Sequence, residues 1–173
     1  MRLALIIFAI LIGTACGANA QHLKSNKGHE NNPYYSNTDT KHLAVSDAEW
    51  KKILSPALYA TAREQATERP FTGRYWDKNA RGTYFCAVCG NELFRSDAKF
   101  ASNCGWPSFY QAVRKNSVIY KEDNSLGMQR TEVICARCDS HLGHIFDDGP
   151  PPTGKRFCMN SISLDFQPDG LGK

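Results

Sequence analysis

Cys86-Ala87-Val88-Cys89 and Cys135-Ala136-Arg137-Cys138 are two Cys-x-x-Cys units. A two-residue spacer lets the chain turn so that both sulfurs converge on one ion at about 2.3 Å, and two such units complete the tetrahedron that Zn²⁺ favours in structural sites. Four thiolates leave no open coordination position, so one zinc per chain is expected here, holding strands together and taking no part in chemistry. Gly90 and Asp139, each directly after a second cysteine, suit the turn. In an oxidising compartment the same thiols could form disulfides, and a Cys-x-x-Cys pair can also be redox-active. Two equal spacings on strand-flanked turns favour the metal over disulfides, and neither pair opens a helix in a βαβ setting as a redox pair would.

Cys104 and Cys158 stand outside these pairs. Cys158 lies in Lys155-Arg156-Phe157-Cys158-Met159-Asn160, where cationic neighbours can lower a thiol pKa and make the nucleophilic thiolate available near neutral pH. Cys104 lies in Ser102-Asn103-Cys104-Gly105-Trp106-Pro107, a loop that can bring a second thiol within reach. A reactive pair, a structural disulfide and two inert core thiols all fit these residues. His141-Leu142-Gly143-His144 adds two imidazoles, which carry protons near neutral pH and are supernumerary as ligands once four cysteines close the metal site. Trp106 can form a flat apolar wall for a small substrate, although a tryptophan beside proline also serves plain packing.

The elements that must position these residues follow from local pattern. Ser46-Asp47-Ala48-Glu49 has the capping-box form, and Ser55-Pro56 repeats a helix start, which predicts helices from Asp47 to Leu54 and from Pro56 to Ala66. Thr83–Cys86, Val113–Tyr120, Thr131–Cys135, Phe157–Met159 and Ile162–Phe166 are short, β-branched or aromatic, and bounded by Gly, Asn, Asp and Pro. The expected fold is α+β and mainly antiparallel β: two packed antiparallel sheets, short N-terminal helices and a structural zinc clip.

Length and composition set the outer limits. With 173 residues, 22% of them charged and 42% hydrophobic, the chain fits one domain and excludes both a polytopic membrane protein and disorder throughout. A net charge of +4 falls far short of the basic stripe of a nucleic-acid binder, so no nucleic-acid partner is expected. The chain is expected to be a monomer.

Residues 1–20 read as an address. The apolar run Leu3–Ile12 is too short to span a bilayer core of about 30 Å, and Ala18-Asn19-Ala20 supplies the small residues of a signal-peptidase site, giving a mature start at Gln21. The alternative makes Gly13-Thr14-Ala15-Cys16 a lipoprotein motif with Cys16 lipidated and the membrane as partner; Gly13 stands poorly where leucine is usual. Residues 21–43 are polar, with few aliphatic side chains, and read as a flexible linker. The folded domain is expected over 44–167, with a tail at 168–173. An exported location, periplasmic or secreted, follows from the leader.

Seven segments then resemble the B-type methionine sulfoxide reductases in order and spacing: Arg69-Pro70-Phe71-Thr72-Gly73, the two cysteine pairs, Cys104-Gly105-Trp106-Pro107-Ser108-Phe109, His141-Leu142-Gly143-His144, Asp148-Gly149-Pro150 and Arg156-Phe157-Cys158-Met159-Asn160-Ser161. The resemblance spans Val45 to Phe166. It implies reduction of the R-epimer of methionine sulfoxide, free or in peptides and proteins, as oxidative-damage repair. Cys158 matches the nucleophile that becomes a sulfenic acid, and Cys104 the resolving thiol that closes a Cys104–Cys158 disulfide, recycled by a thioredoxin-like donor. His141, His144, Arg156 and Asn160 match positions that line the site and assist protonation, and Trp106 matches the residue contacting the substrate's methyl group. Two other classes make different demands. A zinc-clipped binding module needs neither Cys104 nor Cys158, and a general disulfide exchanger turns over disulfides without any sulfoxide.

Overall fold

The computed structural model describes residues 29–170. The leader and its alternative at Cys16, the first part of the polar segment and the last three residues lie outside the described residues. Among the described residues no helix is long and apolar enough to cross a membrane.

Two helices, α1 (Asp47–Ile53) and α2 (Pro56–Glu64), form where the caps predict them. The Ser46 and Ser55 side chains accept from the Glu49 and Leu58 backbone N–H groups, both at 3.3 Å. Half of the expected capping box forms, because the Glu49 carboxylate accepts from Lys52. Helix α2 stops short of Ala66 because Gln65 turns left-handed (φ 58°), which lets its side-chain amide reach Glu132.

Two antiparallel sheets follow. β1 (Gly82–Cys86) lies between β2 (Glu92–Arg95) and β9 (Leu164–Pro168). The second sheet has β3 (Lys99–Phe100), β4 (Ser108–Phe109), β5 (Val118–Asp123), β6 (Arg130–Cys135), β7 (His141–Phe146) and β8 (Arg156–Met159), in the order β3-β4-β8-β7-β6-β5. The expected strand at Val113 instead begins at Val118. The polar Arg114-Lys115-Asn116 run turns first, with Ser117 N–H donating to the Arg114 carbonyl at 3.1 Å. The expected strand at Ile162 begins at Leu164, after a short 3-10 turn. β5 is the sheet edge and shows Lys121 and Glu122 to solvent, a charged edge that discourages further strand pairing.

Aromatic rings fill the space between the sheets. Phe94 of β2 stacks on Phe109 of β4 with centroids 4.4 Å apart, and Tyr84 of β1 meets Phe109 edge-on at 5.0 Å. All three are fully buried, and burying such a ring contributes roughly 1.5–3 kcal/mol.

The polar segment behaves differently from a linker where the structure describes it. Asn32 donates to the Val88 carbonyl at 2.8 Å, Ser36 N–H to the Cys89 carbonyl at 2.9 Å and Leu43 N–H to the Arg137 carbonyl at 2.7 Å. Arg137, buried, binds the Tyr34 carbonyl, the Cys89 carbonyl and Asp39. Residues 29–43 therefore lie across both cysteine turns. Backbone and guanidinium hydrogen bonds, with burial of Tyr35, hold a segment whose side chains are otherwise too polar to form a core.

Candidate active site and metal centre

The two Cys-x-x-Cys units are hairpin turns, one in each sheet. The first joins β1 to β2 and the second joins β6 to β7. Both close the same way: the N–H after the second cysteine returns to the carbonyl of the first, Gly90 to Cys86 at 2.8 Å and Asp139 to Cys135 at 2.9 Å. That closure puts Gly90 (φ 80°) and Asp139 (φ 57°) in the left-handed region, which glycine and aspartate tolerate. The four sulfurs are buried and lie within 4.8 Å of one another. Across the turns, Cys86 and Cys138 are 3.7 Å apart and Cys89 and Cys135 are 3.6 Å apart. Tetrahedral bonds of about 2.3 Å give sulfur–sulfur edges of about 3.8 Å, so the cage matches a thiolate-bound zinc. Cys86, Cys89, Cys135 and Cys138 can hold a metal ion there, pinning the two sheets together by their turns.

The second constellation is built on β8. Its neighbours place Ser108 of β4 opposite Cys158 on one side and His144 of β7 opposite Cys158 on the other. The loop before β4 carries Cys104 to 3.5 Å from the Cys158 sulfur. Cys104 also contacts the hydroxyls of Ser102 at 3.0 Å and Ser108 at 3.4 Å. Its hydrogen bond from Cys158, assisted by those hydroxyls, pulls the Cys104 thiol from 9.0 down to about 4 despite partial burial. The same bond, then burial, pushes Cys158 upward, against the lowering effect of Arg156. The bond between the two thiols thus lowers Cys104 and raises Cys158, so that the pair favours one shared proton and a single negative charge. Of the cationic neighbours expected to lower the Cys158 thiol, Lys155 pairs with Asp147, while Arg156, forked onto Asp148 by two 2.8 Å bonds, does lower Cys158 but is outweighed by Cys104 and burial.

A small cavity of about 140 Å³ opens beside Cys158, walled by Trp106, His144, Phe146, Asn160, Thr67 and Arg130 among others. Gly143 forms part of the wall, and a Cβ there would run into the Cys158 carbonyl oxygen and the Met159 backbone. A larger cleft of about 560 Å³, reached by Phe157, Tyr110 and Tyr120, includes none of the cysteines or histidines singled out above.

The histidines, three residues apart, would point to opposite faces of a regular strand. A bulge opposite Val133–Ile134 in the β6–β7 pairing removes that alternation and brings the rings to 5.4 Å. Their surroundings differ. His144 lines the cavity and its Nε2 meets Asp123 at 2.7 Å. His141 is 3% exposed, outside the cavity wall, with Nδ1 at 2.6 Å from Glu132; burial lowers its pKa although Glu132 opposes this.

Glu68 was not legible in the sequence, yet it organises the site. Its carbonyl accepts from the Trp106 indole at 3.2 Å, its N–H donates to Asn160 at 3.2 Å, and its carboxylate accepts from Ser161 and Ile162 N–H at 2.5 and 3.1 Å. Asp123, Glu132 and Arg130 were missed as well. The one available signal was Glu132 itself, a charge inside the β-branched run Thr131–Ile134, since a buried strand admits a carboxylate only with partners.

Residues 54–168 match the SelR domain family model. The chain is 53% identical over 133 residues to the peptide methionine sulfoxide reductase MsrB of Methanosarcina barkeri, covering 77% of this chain and 94% of that protein. It is 58% identical over 123 residues to the protein of the same name from Thiobacillus denitrificans (71% and 93% covered), and 57% identical over 128 residues to that of Leifsonia xyli (73% and 92%).

Proposed function

The chain belongs to the SelR-domain family, the B-type methionine sulfoxide reductases, and on that premise we propose that it reduces the R-epimer of methionine sulfoxide in peptides or proteins through Cys158 and Cys104. The observation that carries this reading is the 3.5 Å separation of the two sulfurs beside a cavity walled by Trp106, His144 and Asn160.

The chemistry starts from the shared proton. With that proton on Cys104, Cys158 is the thiolate, a distribution that Arg156 favours, and its sulfur attacks the sulfoxide sulfur. His144, held by Asp123, relays a solvent proton to the oxygen, which is a poor leaving group otherwise. The oxygen passes to Cys158, giving Cys158–SOH and methionine; Cys158 loses two electrons and the substrate sulfur gains them. Cys104 then attacks the sulfenic acid, the S–O bond breaks, water leaves and the Cys104–Cys158 disulfide forms. A thioredoxin-like dithiol supplies two electrons and two protons by exchange and restores both thiols. Trp106 receives the methyl group, oriented by its indole bond to Glu68. Asn160 and Arg156 shape and charge the surroundings, and His141 acts from behind the wall. A zinc ion in the four-cysteine cage would supply no chemistry to this cycle and would hold the two sheets in register.

The test is incubation of the mature protein with separate R- and S-sulfoxide peptides and a dithiol. Methionine release from the R-peptide alone is expected, and release from neither would end the reading.

Export belongs to the same proposal, supported by Leu3–Ile12 and Ala18-Asn19-Ala20. The electron donor is then a thioredoxin-like protein of the exported compartment. N-terminal sequencing should find Gln21; a diacylated Cys16 would place the protein on a membrane surface instead.

A further inference from the structure

We propose that Arg130 is a further catalytic residue, the group that binds the sulfoxide oxygen. The inference rests on the reductase reading and adds to it a residue that the sequence left unassigned. Arg130 opens β6 and pairs in register with Asp123 at the end of β5. One carboxylate oxygen of Asp123 accepts from Arg130 Nη2 at 2.6 Å and also lies 2.7 Å from His144 Nε2. The guanidinium and the imidazole are therefore anchored side by side on a single atom, and both line the cavity that holds Cys158. The other oxygen of Asp123 is taken by the Ser125 N–H at 2.9 Å, so the carboxylate is fixed and cannot swing to serve the rest of the guanidinium.

That leaves Arg130 incompletely matched. Nη2 is engaged by Asp123 and by the Ser125 hydroxyl at 3.3 Å, Nη1 makes no hydrogen bond among the described residues on a side chain that lines the cavity, and Nε is buried without an acceptor among them. A buried donor without a partner is unfavourable and persists where something outside the resting protein completes it. The substrate is suited to that role. The sulfoxide oxygen is the negative end of the S–O dipole and a strong acceptor, its charge grows as Cys158 attacks, and a fixed cation beside it stabilises that growth. Asn160, the other polar wall residue besides Thr67 and His144, already spends both ends of its amide on Glu68 and Leu142. Arg130 and His144 then divide the work on one oxygen: the guanidinium holds it and the imidazole delivers the proton.

The test compares a ligand that has the oxygen with one that lacks it. Wild type, Arg130→Lys and Arg130→Met are each mixed with an R-sulfoxide peptide without reductant, and the first-turnover methionine release is timed. The matching methionine peptide is then titrated as a competitive inhibitor. The first-turnover rate should fall about tenfold in Arg130→Lys, which keeps charge and loses the fork, and at least a hundredfold in Arg130→Met. Inhibition by the methionine peptide should stay within about twofold of wild type in both. Equal losses for sulfoxide and methionine peptides would make Arg130 a merely structural partner of Asp123, and unchanged rates would remove it from the site. If Arg130→Met does not fold, Arg130→Lys alone decides. Failure of the wild type to act on sulfoxide is a separate result that strikes the reductase reading.

Discussion

The sulfur of Cys104 stands 3.5 Å from that of Cys158, in hydrogen-bond contact, with the two residues on different elements and Ser108 touching the first while pairing with the second. Their jobs separate by stoichiometry. Cys158→Ser should form no methionine, because a serine hydroxyl is too weakly ionised to attack the sulfoxide sulfur. Cys104→Ser should release about one equivalent per enzyme and then stall with thioredoxin, with partial rescue by a small thiol. Thioredoxin-supported turnover at the wild-type rate in Cys104→Ser would return Cys104 to a packing role.

The shared proton also sets a pH dependence. A thiol pulled down to about 4 is ionised above that pH, so Cys104 should be alkylated by iodoacetamide at pH 6, where an ordinary thiol is almost wholly protonated. Cys158, pushed upward chiefly by its bond to Cys104, should resist until alkaline pH. In Cys104→Ser that cause is removed while Arg156 remains, and Cys158 should become reactive at lower pH. Mass mapping of the alkylated residue over a pH series checks both, and Cys158 labelling first in the wild type at pH 6 would contradict them.

Metal removal should unclip the sheets. Structural zinc in small sites contributes an apparent 10 kcal/mol or more, about 10–16 in zinc-finger peptides. Cys135→Ser should lower zinc content and melting temperature together. Full stability in a variant shown by elemental analysis to lack metal would contradict the structural role.

Glu68→Ala should lose the two charge-assisted bonds to Ser161 and Ile162, about 1.5–3 kcal/mol each at most. The Glu68 backbone groups that hold Trp106 and Asn160 stay in this variant, but the carboxylate that anchors their segment to the turn after Cys158 is gone, so KM for the sulfoxide should rise along with the fall in melting temperature. A destabilised variant with an unchanged KM would show that the turn after Cys158 and the substrate wall are independent.

Gly143→Ala should cost about 1–3 kcal/mol by overpacking, since the new methyl group meets the Cys158 carbonyl. The loss should appear as lower activity at temperatures where the variant is still folded, because β7 and β8 cannot both keep their places. Wild-type activity would mean that the strands part without moving the sulfur.

What the sequence determined by itself was local. Two-residue spacers between cysteines, serines before Asp47 and Pro56, and β-branched runs act over a few bonds, so the cysteine turns, both helices and five of the nine described strands, two of them with shifted starts, were legible. The grouping of Cys104 with Cys158, and of both with His144, Asn160 and Trp106, was legible only through ordered motifs resembling a family. Tertiary structure alone decided which atoms meet. The bulge beside Leu142 turns two histidines to one side and leaves one of them buried against Glu132; register brings Asp123 to His144 and Arg130; Glu68 reaches Ser161 from a segment without a periodic pattern. Residues 29–43 read as a linker because composition counts apolar side chains, whereas their described contacts are largely polar: backbone groups, the Asn32 amide, the Tyr35 hydroxyl, and one buried arginine from a distant turn. Long-range hydrogen bonds leave no mark on spacing, and that is why the partners of the site, more than the site itself, had to come from the fold.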